Sequence, residues 1–295
     1  MRVFVTGATG FIGSEVVKEL IDAGHQVVGL TRSDVGAESL AAAGAEAHRG
    51  DIYDLDGLRA GAAKSDGVIH LAFNHDFSKF VENCETDRRA IEALGSVLEG
   101  SERPLIITSG TGMANTQPGV PAVEDGATIS SNVIPRAASE EAAAALAARG
   151  GRVIVVRLPQ VHNTVKQGLV TYAIQIAREK GLSAYVGEGQ NRWPAAPVLD
   201  VARLYRLALE KGVSATYHAV AEEGVSTKEI AEVVGKGLKV PVVSLTPEGA
   251  QGHFGWLALF VGRDSPASSA KTREQLRWEP TGPGMIADLE NMRYA

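Results

Sequence analysis

Residues 1–13 read MRVFVTGATGFIG, and this stretch decides the fold. Arg2–Thr6 is a short apolar run of strand-forming residues, Phe11–Ala23 reads as a helix, and Gly7, Gly10 and Gly13 punctuate the turn between them. A glycine pattern says little alone and much between a strand and a helix, because each glycine then has a task. Gly7 permits the tight turn, Gly10 lets a pyrophosphate approach the backbone, and Gly13 allows close helix packing. The helix N-terminus adds unpaired N–H groups and a favourable dipole for an anion. The segment Thr6-Gly7-Ala8-Thr9-Gly10-Phe11-Ile12-Gly13 therefore predicts a dinucleotide cradle formed by Gly7, Thr9, Gly10, Phe11, Ile12 and Gly13.

Outward from the cradle, strand-like and helix-like runs alternate. Strands are expected at Gln26–Leu30, Ala45–Arg49, Gly67–Leu71, Pro104–Thr108 and Val153–Arg157, with helices at Leu55–Ala63, Phe80–Leu98 and Ser139–Arg149. That rhythm predicts an α/β fold with a Rossmann doubly wound parallel sheet. After it the spacing loosens through GEGQNRWPAAP, followed by a helix at Asp200–Glu210, a strand at Thr216–Val220 and a helix at Thr227–Gly237. We read residues 1–160 as an NAD(P)-binding Rossmann domain and 161–295 as a smaller C-terminal α/β substrate lobe. The two are interleaved, with no flexible linker between them.

Bulk properties exclude several classes. The chain has 295 residues, 44% hydrophobic and 22% charged, with a formal charge of −6, so no basic surface for nucleic acid is expected. No apolar run approaches the roughly 20 residues of a membrane span, and the start runs directly into a strand without a cleavable signal, which reads as cytoplasmic. Cys84 is the single cysteine, and the seven histidines show no paired metal-ligand spacing, so no metal site is expected. A serine hydrolase is disfavoured because no GxSxG elbow occurs.

Cofactor choice is expected at the end of the second strand, where an acid would bind a free ribose 2′-hydroxyl and repel a 2′-phosphate. Thr31 holds the acid's place, and Arg32 and Ser33 are suited to a phosphate, so NADP(H) is favoured. Asp34 lies further on and leaves NAD(H) as the alternative. Asp51 and Ile52, after the third strand, are expected beside adenine, and Leu71, Ala72 and Phe73, after the fourth, beneath the dinucleotide. Asn74, His75 and Asp76 follow directly and are read as a polar loop outside the catalytic set.

These residues resemble the extended and atypical short-chain dehydrogenase/reductase superfamily, in particular its NAD-dependent epimerase/dehydratase family. TGATGFIG at Thr6–Gly13, GDI at Gly50–Ile52, HLAF at His70–Phe73, TSGT at Thr108–Thr111, RLPQVH at Arg157–His162 and LDVARL at Leu199–Leu204 follow the family's order. The resemblance implies cofactor contacts from Thr108, Pro159 and Val161, a small-molecule substrate and a homodimer. It also implies a tyrosine acid with a lysine four residues later, one helical turn away, to lower the phenol's pKa. Here Arg136 stands at the tyrosine place and Glu140 at the lysine place. Tyr172, Tyr185, Tyr205 and Tyr217 all lie past the sixth strand, and none has a lysine four residues on.

Three readings stay open. In one, Arg136 clamps the developing alkoxide, Ser109 or Thr111 hydrogen-bonds the carbonyl, and His162 supplies the proton. In another, solvent or the substrate supplies it. In the third, the protein is a non-catalytic NADP(H)-binding redox sensor. The expected activity is an NADP(H)-dependent oxidoreductase reducing a small, largely apolar carbonyl compound, with a sugar-type epimerase or dehydratase as the alternative.

Overall fold

Strand β1 (Arg2–Thr6) is buried from Val3 onward and alternates its faces: Val3 and Val5 enter one apolar layer and Phe4 the other. A strand buried on both sides needs a helix layer on each. In this computed structural model, which describes residues 1–114, 117 and 119–294, both layers are present. From β1 the chain runs through α1 (Phe11–Asp22), β2 (Gln26–Thr31), α2 (Asp34–Ala42), β3 (Glu46–Arg49), α3 (Leu55–Ala63) and β4 (Gly67–His70). It continues with α4 (Phe80–Ser96), β5 (Leu105–Gly110), α5 (Ala138–Ala148) and β6 (Val153–Leu158).

The second half adds β7 (Gln160–His162), α6 (Val170–Lys180), β8 (Ser183–Val186), β9 (Arg192–Pro197), α7 (Val198–Lys211), β10 (Ala215–His218) and β11 (Glu222–Ser226). Then come α8 (Thr227–Leu238), β12 (Val242–Leu245), α9 (Pro247–Phe254), α10 (Ala258–Val261), α11 (Ala270–Leu276) and α12 (Met285–Glu290).

The large sheet has the order β10-β6-β5-β4-β1-β2-β3, and every neighbouring pair is parallel. Strand order reverses between β1 and β4, and in open parallel sheets ligands bind outside the carboxyl ends of the strands at that switch point. One core layer joins α1 and α7 to the sheet through Val16, Leu20, Leu204 and Tyr205. The opposite layer joins α3, α4 and α5 through Leu58, Ile91, Leu94 and Leu146.

The expected boundary at residue 160 is crossed by the tertiary structure. β10 and α7, from the second half, complete the large sheet and its helix layer. The remaining lobe holds a three-stranded sheet, β11-β9-β7, and a two-stranded one, β12-β8, around a separate core containing Trp193, Ile230, Phe254 and Leu289. Gly and Pro in GEGQNRWPAAP suggested loop, yet Arg192–Pro197 is the central strand of the smaller sheet. The register with β11 shifts between Glu222 and Val225, opposite Pro194. Such a bulge accommodates a residue with no N–H to give the ladder.

Candidate active site

The glycine turn has the geometry its spacing implies. Gly7 has φ 66°, and a Cβ there would lie 2.8 Å from the Ala72 nitrogen, so the turn closes against the chain leaving β4. A Cβ on Gly13 would collide with the Gly7 carbonyl oxygen. Helix α1 begins at Gly10 with no side-chain cap, which leaves its first-turn N–H groups for an anion. The cradle therefore fits a dinucleotide pyrophosphate, with Thr9 and Gly10 exposed at its lip and Phe11 and Ile12 half-buried beside it.

The β2 end separates the charged residues. Thr31 is buried, with its hydroxyl turned towards the Ser33 carbonyl. Ser33 Oγ accepts from the Gly36 N–H at 3.1 Å, capping α2, which leaves its O–H free to donate. Asp34 is turned to Arg49, 3.0 Å away. Arg32 is exposed and forms no ion pair or side-chain hydrogen bond among the described residues. Asp51, expected beside adenine, uses Oδ1 to accept from the Tyr53 and Asp54 N–H groups at 2.8 and 3.2 Å. Ile52 is half-buried next to it.

Beneath the cradle runs a buried polar chain that the sequence did not disclose. Thr6 Oγ1 accepts from the Leu71 and Ala72 N–H groups, both at 3.2 Å, and its hydroxyl donates to His70 Nδ1 at 2.7 Å. That leaves the proton of a neutral His70 on Nε2, which donates to Asp87 Oδ1 at 3.0 Å. Asp87 Oδ2 accepts from Ser139 Oγ at 2.5 Å and from Arg136 at 3.0 Å. Burial alone would raise Asp87, but Arg136, His70 and Ser139 reverse this and hold its carboxyl below the ordinary range.

Arg136 is thus anchored rather than loose. Its guanidinium also donates to the Thr108 carbonyl at 2.8 Å and to Ser139, and it lies 4.3 Å from the Phe73 ring centroid. Of the five N–H groups of a guanidinium, three are used, leaving two with no acceptor among the described residues. The side chain retains 16% of its surface, so it is both fixed and reachable.

Glu140, one turn on, faces away from Arg136. Its two oxygens take a bidentate pair from Arg157, at 2.9 and 2.7 Å, and Thr128 donates to one of them at 2.9 Å. Burial pushes Glu140 up, yet the bonds and charge of Arg157, then Ser109 and Thr128, bring it below its ordinary value. Positions 136 and 140 accordingly carry two guanidinium–carboxylate pairs, Arg136–Asp87 and Arg157–Glu140.

The other expected catalytic residues divide. Thr108 is half-buried beside Arg136; its hydroxyl donates to the His70 carbonyl at 2.8 Å and accepts from the Tyr205 hydroxyl at 2.7 Å. Ser109 and Thr111 are buried at the same strand end, and Ser109 Oγ has no partner within hydrogen-bond geometry although it faces the Glu140 carboxylate.

His162 is a correction. It has no exposed surface, and its Nδ1 lies 2.6 Å from Asp288 Oδ2 in the second lobe. A ring with no exposed surface has no contact with a ligand in an open cleft, so the structure places His162 in the lobe's interior instead. Val161 is buried and Pro159 half-buried on the way to it.

From Phe73 an aromatic cluster continues through Phe80 to Phe77. Phe77 stacks on Trp256 with centroids 4.1 Å apart, and Tyr172 meets Phe77 and Trp256 edge-on at 6.0 and 5.2 Å. These rings join the loop after β4 to the second lobe. Among the described residues, no group of three His, Cys, Asp or Glu side chains is placed to hold a metal ion, and no helix is long and apolar enough to cross a membrane.

Sheet order, switch point and glycine cradle define a Rossmann dinucleotide-binding protein with an appended second lobe. More narrowly, the chain belongs to the NAD dependent epimerase/dehydratase family, whose profile matches residues 3–220. It is 47% identical, over 100% of both chains, to an uncharacterized protein of Schizosaccharomyces pombe. It is 44% identical, over 98% of each, to an uncharacterized protein of Saccharomyces cerevisiae. Among solved structures, the UDP-glucose 4-epimerase of Thermus thermophilus in complex with NAD superposes with a TM-score of 0.76 at 21% identity, covering 100% of this chain and 99% of that one.

Proposed function

We propose that this protein is an NADP(H)-dependent oxidoreductase that reduces a small, largely apolar carbonyl compound. The carrying observation is Arg136, with two N–H groups unused among the described residues, held on the Thr108 carbonyl and over the Phe73 ring, from which the cluster of Phe77, Tyr172 and Trp256 continues. A bound dihydronicotinamide would supply hydride to the carbonyl carbon. The residues do the rest: the aromatic cluster orients an apolar substrate, and Arg136 stabilises the negative charge that develops on oxygen. Such preorganised donors act most strongly where water is excluded.

Residues Gly7, Gly10 and Gly13 and the start of α1 would hold the pyrophosphate, and Arg32 with Ser33 the 2′-phosphate. The unpaired Arg32, beside an Asp34 already bound to Arg49, supports NADP(H) over NAD(H). An acid free to accept from a ribose hydroxyl would have supported the reverse.

The family and the NAD-bound epimerase likeness favour a second reading, a sugar-type epimerase or dehydratase. It requires a base to take the hydroxyl proton during transient oxidation, and at the places of the family's pair neither Arg136 nor the locked Glu140 is free to serve. The deciding experiment follows NADPH absorbance with ketones, aldehydes and imines, beside an Arg136→Ala variant, with UDP-glucose epimerisation assayed in parallel. Turnover lost in the variant, with NADPH binding kept, is the expected result. Tight NADPH binding without carbonyl turnover would refute the reductase reading and leave a redox sensor or, with epimerisation, the second reading.

A further inference from the structure

Arg136 supplies charge but no proton, because a guanidinium is not deprotonated in proteins. His162, the donor expected from sequence, is sealed against Asp288. A reductase site nevertheless needs a proton for the product hydroxyl, and few titratable groups near Arg136 are able to give one.

Asp87 and Glu140 are held as carboxylates by their arginines, both ring nitrogens of His70 are occupied, by Thr6 and Asp87, and Tyr205 is entirely buried with its pKa pushed far up by that burial. Cys84 is buried too, and desolvation raises it to about 11. One group is different. His75, on the loop between β4 and α4, is exposed, and its ring makes no hydrogen bond to any side chain among the described residues.

Its ring contacts come from its own loop, and two charges from elsewhere in the chain act on it. The ring meets Phe73 edge-on at 5.2 Å, and the face of Phe73 carries the Arg136 guanidinium. On the other side it lies 6.3 Å from Phe77, the residue that stacks on Trp256. Lys166, which lies 5.7 Å from the Phe11 ring centroid at the start of α1, is near enough to act on it by charge. The ring is thus exposed to water between the two phenylalanines of its own loop, with the charges of Arg136 and Lys166 close enough to act on it.

We propose that His75 is the proton donor of this site, acting on the oxygen that Arg136 holds; the assignment rests on the carbonyl reductase reading. As the carbonyl carbon gains hydride from the dihydronicotinamide, the C–O π pair moves to oxygen beside the guanidinium. The imidazolium N–H bond breaks and its proton forms the new O–H bond. The neutral imidazole then regains a proton from water at its exposed edge. One hydride and one proton enter the substrate, and the nicotinamide is oxidised by two electrons.

The surroundings tune this exchange. Burial, then the positive charges of Arg136 and Lys166, lower His75 below the ordinary histidine value, while the Phe73 carbonyl and the Asp87 carboxylate oppose them more weakly. The imidazolium is therefore a stronger acid than usual and less populated at neutral pH. Carbonyl reduction rises as pH falls through that lowered value, whereas the reverse alcohol oxidation, which needs the neutral base, is present above it.

Two measurements on the full-length protein test the assignment. The first is independent of turnover: modification of each histidine by diethylpyrocarbonate, mapped by peptide mass spectrometry with and without saturating NADP⁺. We expect His75 to react readily in the free protein and about tenfold more slowly with NADP⁺, as a residue screened by a bound ligand should. His253, on α9, should react equally in both. Unchanged reactivity of His75 with NADP⁺ bound would overturn the proposal.

The second compares wild type and His75→Gln in NADPH oxidation by benzaldehyde, benzil and phenanthrenequinone across pH. The variant should lose about 100-fold or more in kcat, keep its NADP⁺ affinity, and lose the acid-side rise. Full rate with an unaltered pH profile would remove His75 alone and leave the reductase reading standing. A wild type that binds NADPH but reduces no carbonyl probe would sink both.

Discussion

Replacing Arg32 with alanine isolates the basis for cofactor preference. Arg32 is exposed and unpaired among the described residues, so its removal breaks no internal contact and leaves folding stability within the small range of ordinary surface changes. What is lost is whatever the guanidinium does for a ligand. A hydrogen-bonded contact between charged groups is worth about 1.5–3 kcal/mol, and about 1.4 kcal/mol is tenfold in affinity. NADPH should therefore bind about 10- to 150-fold more weakly to Arg32→Ala. NADH, which carries no 2′-phosphate, should bind unchanged.

The neighbours keep the test clean. Arg49 is already paired with Asp34 at 3.0 Å, so its charge is partly spoken for and is a poor substitute. Ser33 is fixed as the α2 cap. Arg32→Glu should go further, since it sets a negative charge against the phosphate and offers an acceptor to a free ribose hydroxyl. The assay is fluorescence titration of both reduced cofactors at fixed ionic strength. Equal losses for NADPH and NADH, or none for either, would refute the 2′-phosphate assignment.

Two other outcomes bear on different parts of the molecule. Glu140→Gln leaves Arg157, 1% exposed, without its counter-charge, and breaking a buried pair in this way costs about 3–5 kcal/mol in urea unfolding at neutral pH. Because Asp87 and Glu140 are both depressed in the folded state, their stabilisation is complete above the ordinary carboxyl range near pH ~4 and is lost as pH falls through it. The Gln variant should accordingly start less stable and fall less steeply in acid; an unchanged acid limb would mean Glu140 does not titrate with unfolding. Trp256→Ala removes the ring stacked on Phe77, and for an aromatic carbonyl KM should rise several-fold while NADPH affinity holds. An unaltered KM would place the substrate away from that cluster.

The Rossmann half was legible because local signals agree there. Strand, glycine turn and helix are consecutive in the chain, and β1, α1 and β2 follow the expected bounds within one residue. The second lobe was less so. β9 contains Pro194, and only the bulge in β11 allows that strand to exist. Helix α2 (Asp34–Ala42) was not anticipated either; it is rich in alanine and carries a weak apolar stripe, burying only Gly36 and Leu40. Asp87 left a faint trace, being an acid on the apolar stripe of α4, three residues after Cys84 and four before Ile91. Such a carboxylate needs a buried partner, but nothing in the sequence says which one.

By itself the sequence determined the glycine turn between β1 and α1, since Gly7, Gly10 and Gly13 act through backbone geometry within a single turn. It also placed Arg136 and Glu140 where a tyrosine and a lysine would be expected. Only the tertiary structure decided what those two residues do, pairing Arg136 with Asp87 and Glu140 with Arg157. It buried His162 and set the Arg136 guanidinium against the Phe73 ring that His75 meets edge-on. The reason is physical: a backbone cradle is specified by neighbours along the chain, whereas the partner of a charge and the exposure of a histidine depend on which distant segments pack against it.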